Sequence, residues 1–218
     1  MIRTSAECET IATNYVLNNL NCHLMSTHEI SRNIEELKKD LRTLTLFSLG
    51  LKPMCIVDNI TYECLESIGE PIATGDILVK DVRADKYVFQ NEEVFNRFQK
   101  EVASIPIHFW GPLGNLLNYP PMSVSVFHDV LACKEGAPTD ADRLYVDYHG
   151  QIFTSFPSVL AETCEWLEQN FIVPEEHKTR FTIKDFASGL TYTIGDKDNK
   201  GDVENKDQVI RILTNYRG

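Results

Sequence analysis

The sequence has no apolar run approaching the roughly 18 residues that a membrane-spanning helix needs, so no such span is expected. Lys and Arg nowhere gather into a basic stretch. The densest group, Lys38, Lys39 and Arg42, stands beside Glu35, Glu36 and Asp40 and reads as a solvated helix face. Direct nucleic-acid binding, which depends on a basic surface, is therefore not expected. The first residues lack the apolar core and small-residue cleavage site of a secretory signal, which points to a cytoplasmic protein. Six cysteines (Cys8, Cys22, Cys55, Cys64, Cys133, Cys164) are scattered and, in a reducing compartment, are expected as free core thiols. In that setting the sequon Asn59-Ile60-Thr61 is silent.

Motifs that carry chemistry are missing as well. There is no HExxH, CxxC, GxGxxG, P-loop or GxSxG elbow. No two of His23, His28, His108, His128, His149 and His177 stand three or four residues apart, the spacing that puts two ligands on one helix face. His108 and His128 fall in segments expected to be strands, and half-buried imidazoles with hydrogen-bond partners account for them. Cys133 adjoins Lys134, yet no orienting His–Asx pair can be named for it. The acidic loop from Asp196 to Asp207 follows part of the spacing of a calcium loop. Asp196 and Asp198 take its first and third positions and Gly201 its sixth, with Asp202 next. Lys200 at the fifth position would repel the ion, and Asp207 replaces the bidentate Glu. Asp196, Asp198 and Asp202 are thus the only calcium candidates, and neither metal nor cofactor is expected.

What is present is a globular composition, 43% hydrophobic and 24% charged, with a net charge of −11. A chain this long buries roughly 70% of its unfolded surface and needs no disulfide or metal to be stable. Its negative surface repels phosphates and anionic membranes and suits a basic protein partner. Ala6 to Leu20 has helical spacing. Ser26 and Glu29 form a capping-box pattern ahead of the stripe Ile30, Ile34, Leu37, Leu41 and Leu44, which Gly50 and Pro53 end. Strands are expected at 54–57, 76–82, 86–89 and 105–110, with a helix capped by Asn91 between the last two. Residues 113–121 read as a loop and 123–132 as a strand. Arg143 to Tyr148 and Gln151 to Phe156 form a hairpin around His149-Gly150. A helix from Ser158 follows, with Leu160, Cys164, Leu167 and Phe171 on one face. Strands at 180–184 and 190–194 and a helix at 208–216 complete the chain.

The pattern predicts an α+β fold: an N-terminal helical hairpin, a mostly antiparallel central sheet with flanking helices, and a small C-terminal β-β-α appendage. The expected division is a core domain at 1–173 and an extension at 174–218.

From Ile105 to Phe171 the order of elements resembles the C-terminal half of the SUKH superfamily, which includes bacterial toxin-immunity proteins, yeast cell-wall regulators and herpesvirus relatives. The residues that carry the resemblance are PIHFWGPLGN at 106–115, RLYVDYHGQIF at 143–153 and VLAETCEWLEQNF at 159–171. It covers about 67 residues; the N-terminal half lacks the family's Leu-Pro and Gly-Gly features, and the tail after Pro174 lies outside it. The resemblance implies an α+β fold that is not an enzyme and binds another protein, often a toxic nuclease or a host defence factor.

The functional expectation is a protein-binding module of immunity or host–pathogen antagonist type, acting through its acidic surface on a basic partner. Phe109, Trp110 and Tyr119, near Pro120-Pro121, are candidate contact residues, since aromatics dominate binding hot spots. The alternative for Trp110 is burial in the core. Asp147 and His149 are further candidates, although turn chemistry explains both. Two other readings stand beside this one: a nuclease or hydrolase with a dispersed site using His108 or His128, and an oligomeric scaffold.

Overall fold

The computed structural model describes residues 3–20, 25–70, 72, 75–82, 85–103, 110–194 and 203–215. It is an α+β fold in two compact units, Met1–Gln99 with Glu175–His177, and Lys100–Pro174 with Lys178–Gly218.

The first unit opens with the expected helical hairpin, α1 (Ser5–Asn19) and α2 (Thr27–Ser48). Each helix starts with a capping box, Thr4 with Glu7 and Ser26 with Glu29, in which side chain and backbone satisfy each other's free N–H groups. The α2 stripe buries Leu37, Leu41 and Leu44 against Cys8, Ala12 and Val16 of α1. Gly50 (φ 75°) lets the chain leave α2 and enter β1 (Met54–Asp58). Asp58 caps α3 (Asn59–Ser67), a helix the sequence reading passed over. β2 (Leu78–Val82) and β3 (Asp85–Phe89) complete an antiparallel sheet of order β1-β3-β2, and Asn91 caps α4 (Glu92–Phe98) as expected.

The second unit contains α5 (Trp110–Leu116), α6 (Pro121–Leu131), the hairpin β4 (Leu144–Tyr148) and β5 (Gln151–Ser155), and α7 (Leu160–Asn170). Then come β6 (Phe181–Asp185), β7 (Thr191–Ile194), the short β8 (Val203–Glu204) and α8 (Lys206–Asn215). The sheet order is β5-β4-β6-β7-β8, antiparallel except for the β7–β8 pair. Among the described residues, the chain after Pro174 supplies three strands and a helix where two strands and a helix were expected, and β6 pairs with β4 in the sheet begun by the hairpin. The hairpin turn has φ of 53° at His149 and 94° at Gly150, both left-handed, as a two-residue turn that follows strand twist requires.

Three local expectations are corrected. The segment 123–132 is the helix α6, not a strand. Pro121 stands at its first turn, where a missing N–H costs nothing, and buried contacts outweigh the strand preference of Val124 and Val126. Residues 113–116, expected as loop, belong to α5, and α5 packs closely on α6: a Cβ on Gly114 would lie 2.8 Å from Val124 Cγ2. Trp110, expected to end a strand, begins α5; the rest of that strand, with Phe109 and His108, lies outside the described residues. One central sheet is replaced by two, because the chain makes two cores.

Candidate binding surface

The residues singled out in the sequence separate into two kinds in the second unit. Tyr119, just after α5, is half-buried with its ring tilted on Phe153 at 5.7 Å, and burial pushes its phenol upward. Asp147 Oδ1 accepts a hydrogen bond from Gly150 N at 2.8 Å. His149 Nδ1 donates to Thr179 O at 2.6 Å, which places a proton on that nitrogen. These three side chains hold local structure together. Trp110 behaves differently: it is 48% exposed at the start of α5. The calcium candidates Asp196, Asp198 and Asp202 lie outside the described residues. Among the described residues, no three His, Cys, Asp or Glu side chains are grouped to hold a metal.

Chemistry-bearing groups elsewhere are satisfied by neighbours of ordinary kind. Burial raises the Cys55 and Cys164 thiols to about 12 and Cys64 to about 11, so these cysteines are inert core residues. Cys133, expected in the core, is exposed; it follows the end of α6 with φ 51°. His128 sits on α6, its Nδ1 3.8 Å from Asp129 Oδ1, and both side chains are partly exposed. Ser123, Ser155 and Thr163 form a wholly buried triangle of hydroxyls, with Oγ separations of 2.9, 2.8 and 3.4 Å.

The exposed apolar side chains draw the surface that the sequence did not foretell. A Cβ on Gly111 would lie 3.6 Å from His128 Cδ2, and Gly114 meets Val124. These contacts run in opposite senses along the two helices, so α5 and α6 are antiparallel. Trp110 therefore lies at the end of the pair where α6 finishes in Leu131, which is 40% exposed. One helical turn before Leu131, the Phe127 ring carries the Arg143 guanidinium at 5.5 Å. Arg143 O accepts from Phe186 N at 3.2 Å, and Phe186 (53% exposed) pairs its ring with Tyr145 (41% exposed) at 6.2 Å.

Strand register explains why Tyr145 and Phe186 face outward. Side chains alternate along a strand. Leu144 and Val146 pair with Ser155 and Phe153 toward the helices, so Tyr145, opposite Lys184, points away. Phe186 is fixed by the turn after β6: Asp185 Oδ1 accepts from Ala187 N at 3.1 Å, Oδ2 from Ser188 Oγ at 2.7 Å, and Gly189 takes φ 72°. Sequence alone missed Tyr145 and Phe186, though Tyr145's odd position in the Leu144–Val146 alternation was a usable signal.

Compared with known proteins, the chain matches no family model, no curated protein and no solved structure. No helix among the described residues is long and apolar enough to cross a membrane.

Proposed function

We propose that this chain is a non-enzymatic, SUKH-like protein-binding module of immunity or host–pathogen antagonist type, which engages a basic protein partner in the cytoplasm. The observation that carries this reading is the set of large side chains, Trp110, Leu131, Tyr145 and Phe186, kept in water by well-packed elements. Scattered exposed apolar groups are normal, whereas the exposed Tyr145–Phe186 pair beside an arginine set over Phe127 matches the composition of interfaces. The net charge of −11 supplies the second part: it speeds encounter with a positive partner and discourages self-association.

The test is capture from the native source followed by reconstitution with the purified partner. A basic partner whose association rate falls steeply with added salt is the expected result. A chain that turns over a small molecule and binds no protein would overturn the proposal.

A further inference from the structure

We infer that Met122–Phe127, the first half of α6, is a conformational switch segment: when its remote contacts open, it turns from helix to strand and stacks with the same segment of other copies of this chain. The inference stands apart from the protein-binding reading and does not depend on it.

Local chemistry in this segment opposes a helix. Met-Ser-Val-Ser-Val-Phe contains no charge, no glycine and no proline. Its two valines lose rotamer freedom in a helix, and its two serines compete for backbone hydrogen bonds. The helices α1, α2, α3 and α4 each begin with a side-chain hydrogen bond to a free N–H, whereas α6 begins at Pro120 with none. As a strand, the segment sorts its residues cleanly, with Met122, Val124 and Val126 on one face and Ser123, Ser125 and Phe127 on the other. Short uncharged runs of this kind, with one dry apolar face, are what identical strands need to interdigitate between stacked sheets.

The helix is held from outside instead. Ser123 Oγ lies 2.9 Å from Ser155 Oγ of β5 and 2.8 Å from Thr163 Oγ1 of α7. Val124 fills the space that Gly114 leaves, and Arg143 covers the Phe127 ring at 5.5 Å. All of these partners lie well beyond a helical turn in sequence, so a local opening of α6 removes the support for the helix at once. Pro120 and Pro121 before the segment and Asp129 after it stand where prolines and charges flank strand-forming runs and limit their pairing. Other charge-free runs are placed differently. Thr43 to Ser48 closes the long, capped α2, while β5 and β7 already have ladder partners.

The test holds the full chain in urea at a matched fraction unfolded, about one chain in ten, with thioflavin T present. The expected result is fluorescence that rises after a lag, and protease-resistant material that contains Met122–Phe127 by mass spectrometry. Ser125→Lys sets a charge at every ~4.8 Å of the stack and lengthens the lag on the order of tenfold. Ser125→Glu does the same, although one change moves the net charge of −11 toward zero and the other away from it. Ser125 is exposed on α6 and both new residues are good helix formers, so circular dichroism before urea matches the parent. Thr10→Lys, at an exposed position of α1, keeps the lag within about twofold of the parent. No assembly by the parent chain, a resistant core elsewhere, or a lag that neither Ser125 variant changes overturns the inference. Opposite effects of the two Ser125 variants, or an equal delay from Thr10→Lys, overturn it as well, because net charge and not the segment then governs assembly.

Discussion

The two units bury polar groups in opposite ways. The first encloses ionisable side chains: Lys52 is 3% exposed, Arg3 is buried beside its partner Glu70, and the half-buried Asp40 of α2 reaches the start of α3 through Asp58 N. The second builds its sheet–helix interior from neutral ones, the Ser123–Ser155–Thr163 triangle and Gln151, whose Nε2 donates to Leu117 O at 3.1 Å and Asn118 O at 2.9 Å. Its one buried carboxylate among the described residues, Asp185, lies at a turn that supplies two donors. Hydroxyls and amides keep their hydrogen bonds at every pH, whereas buried acids and bases tie stability to proton uptake. Near neutrality the first unit should therefore respond to pH more than the second.

Placing a charge in the second unit breaks that contrast most strongly. Gln151→Glu keeps the shape but removes both donors and turns lone pairs toward two carbonyls. Burial and those carbonyls hold the new carboxyl above its unfolded value. The variant is then stable when protonated in acid and loses stability as pH rises through the folded pKa. At neutral pH the loss is at least ~3 kcal/mol, the scale of an uncompensated buried charge. Urea unfolding at acid and neutral pH measures it, and an equal loss at both would refute the account.

The native first unit shows a smaller version of the same effect on both sides of neutrality. Burial raises the Asp40 carboxyl to about 6, against hydrogen bonds from Asp58 N at 2.8 Å and Thr61 Oγ1 at 3.1 Å that favour its charged form. A raised acid stabilises the fold below its unfolded pKa, and that contribution is lost as pH climbs through about 6. Burial lowers the Lys52 ammonium to about 8. A lowered base costs stability while protonated, and the cost is relieved as pH rises from about 8 toward the unfolded value. Each contribution is on the order of 2 to 3 kcal/mol. Hydrogen exchange of β1 and β3 amides should thus show least protection between pH 6 and 8, with β4 and β6 amides flat across the same range. Lys52→Met removes the alkaline rise, and Asp40→Asn removes the acid one while keeping an acceptor for Asp58 N and Thr61 Oγ1.

Much of this contrast was legible in residue patterns, and its failures have physical causes. The α1–α2 hairpin, the Ser26–Glu29 capping box and the His149-Gly150 turn follow from local chemistry, which needs no distant partner. α6 was misread because Ser123-Val124-Ser125-Val126 alternates like a strand. What makes it a helix is remote: Ser123 meets residues 32 and 40 positions away. α3 was passed over because its start depends on Asp58, with Asp40 of α2 bracing that cap. For the candidate surface, Trp110 stood out as an aromatic near prolines. Tyr145 and Phe186 did not, since only pairing of β4 with β6 brings them together. Likewise nothing local marks Lys52 as buried, because its enclosure comes from how α2, β1 and the β3 end are packed.

The smallest predicted effect tests whether the hydroxyl triangle is as neutral as it looks. Thr163→Val keeps the branched shape on α7 and removes a single oxygen. Ser123 and Ser155 still bond each other at 2.9 Å, one donating to the other, which leaves one hydroxyl hydrogen without the Thr163 acceptor, so the loss is at least about 1 kcal/mol. Because no group in the triangle titrates near neutrality, the loss has the same size in acid, at neutral pH and in mild base. A loss that grew with pH would mean that a charge from outside the triangle leans on Thr163, and the separation between an ionisable first unit and a neutral second one would fall. A constant loss of at least about 1 kcal/mol, beside a first unit whose protection dips between pH 6 and 8, would show that two cores of one chain obey different proton chemistry.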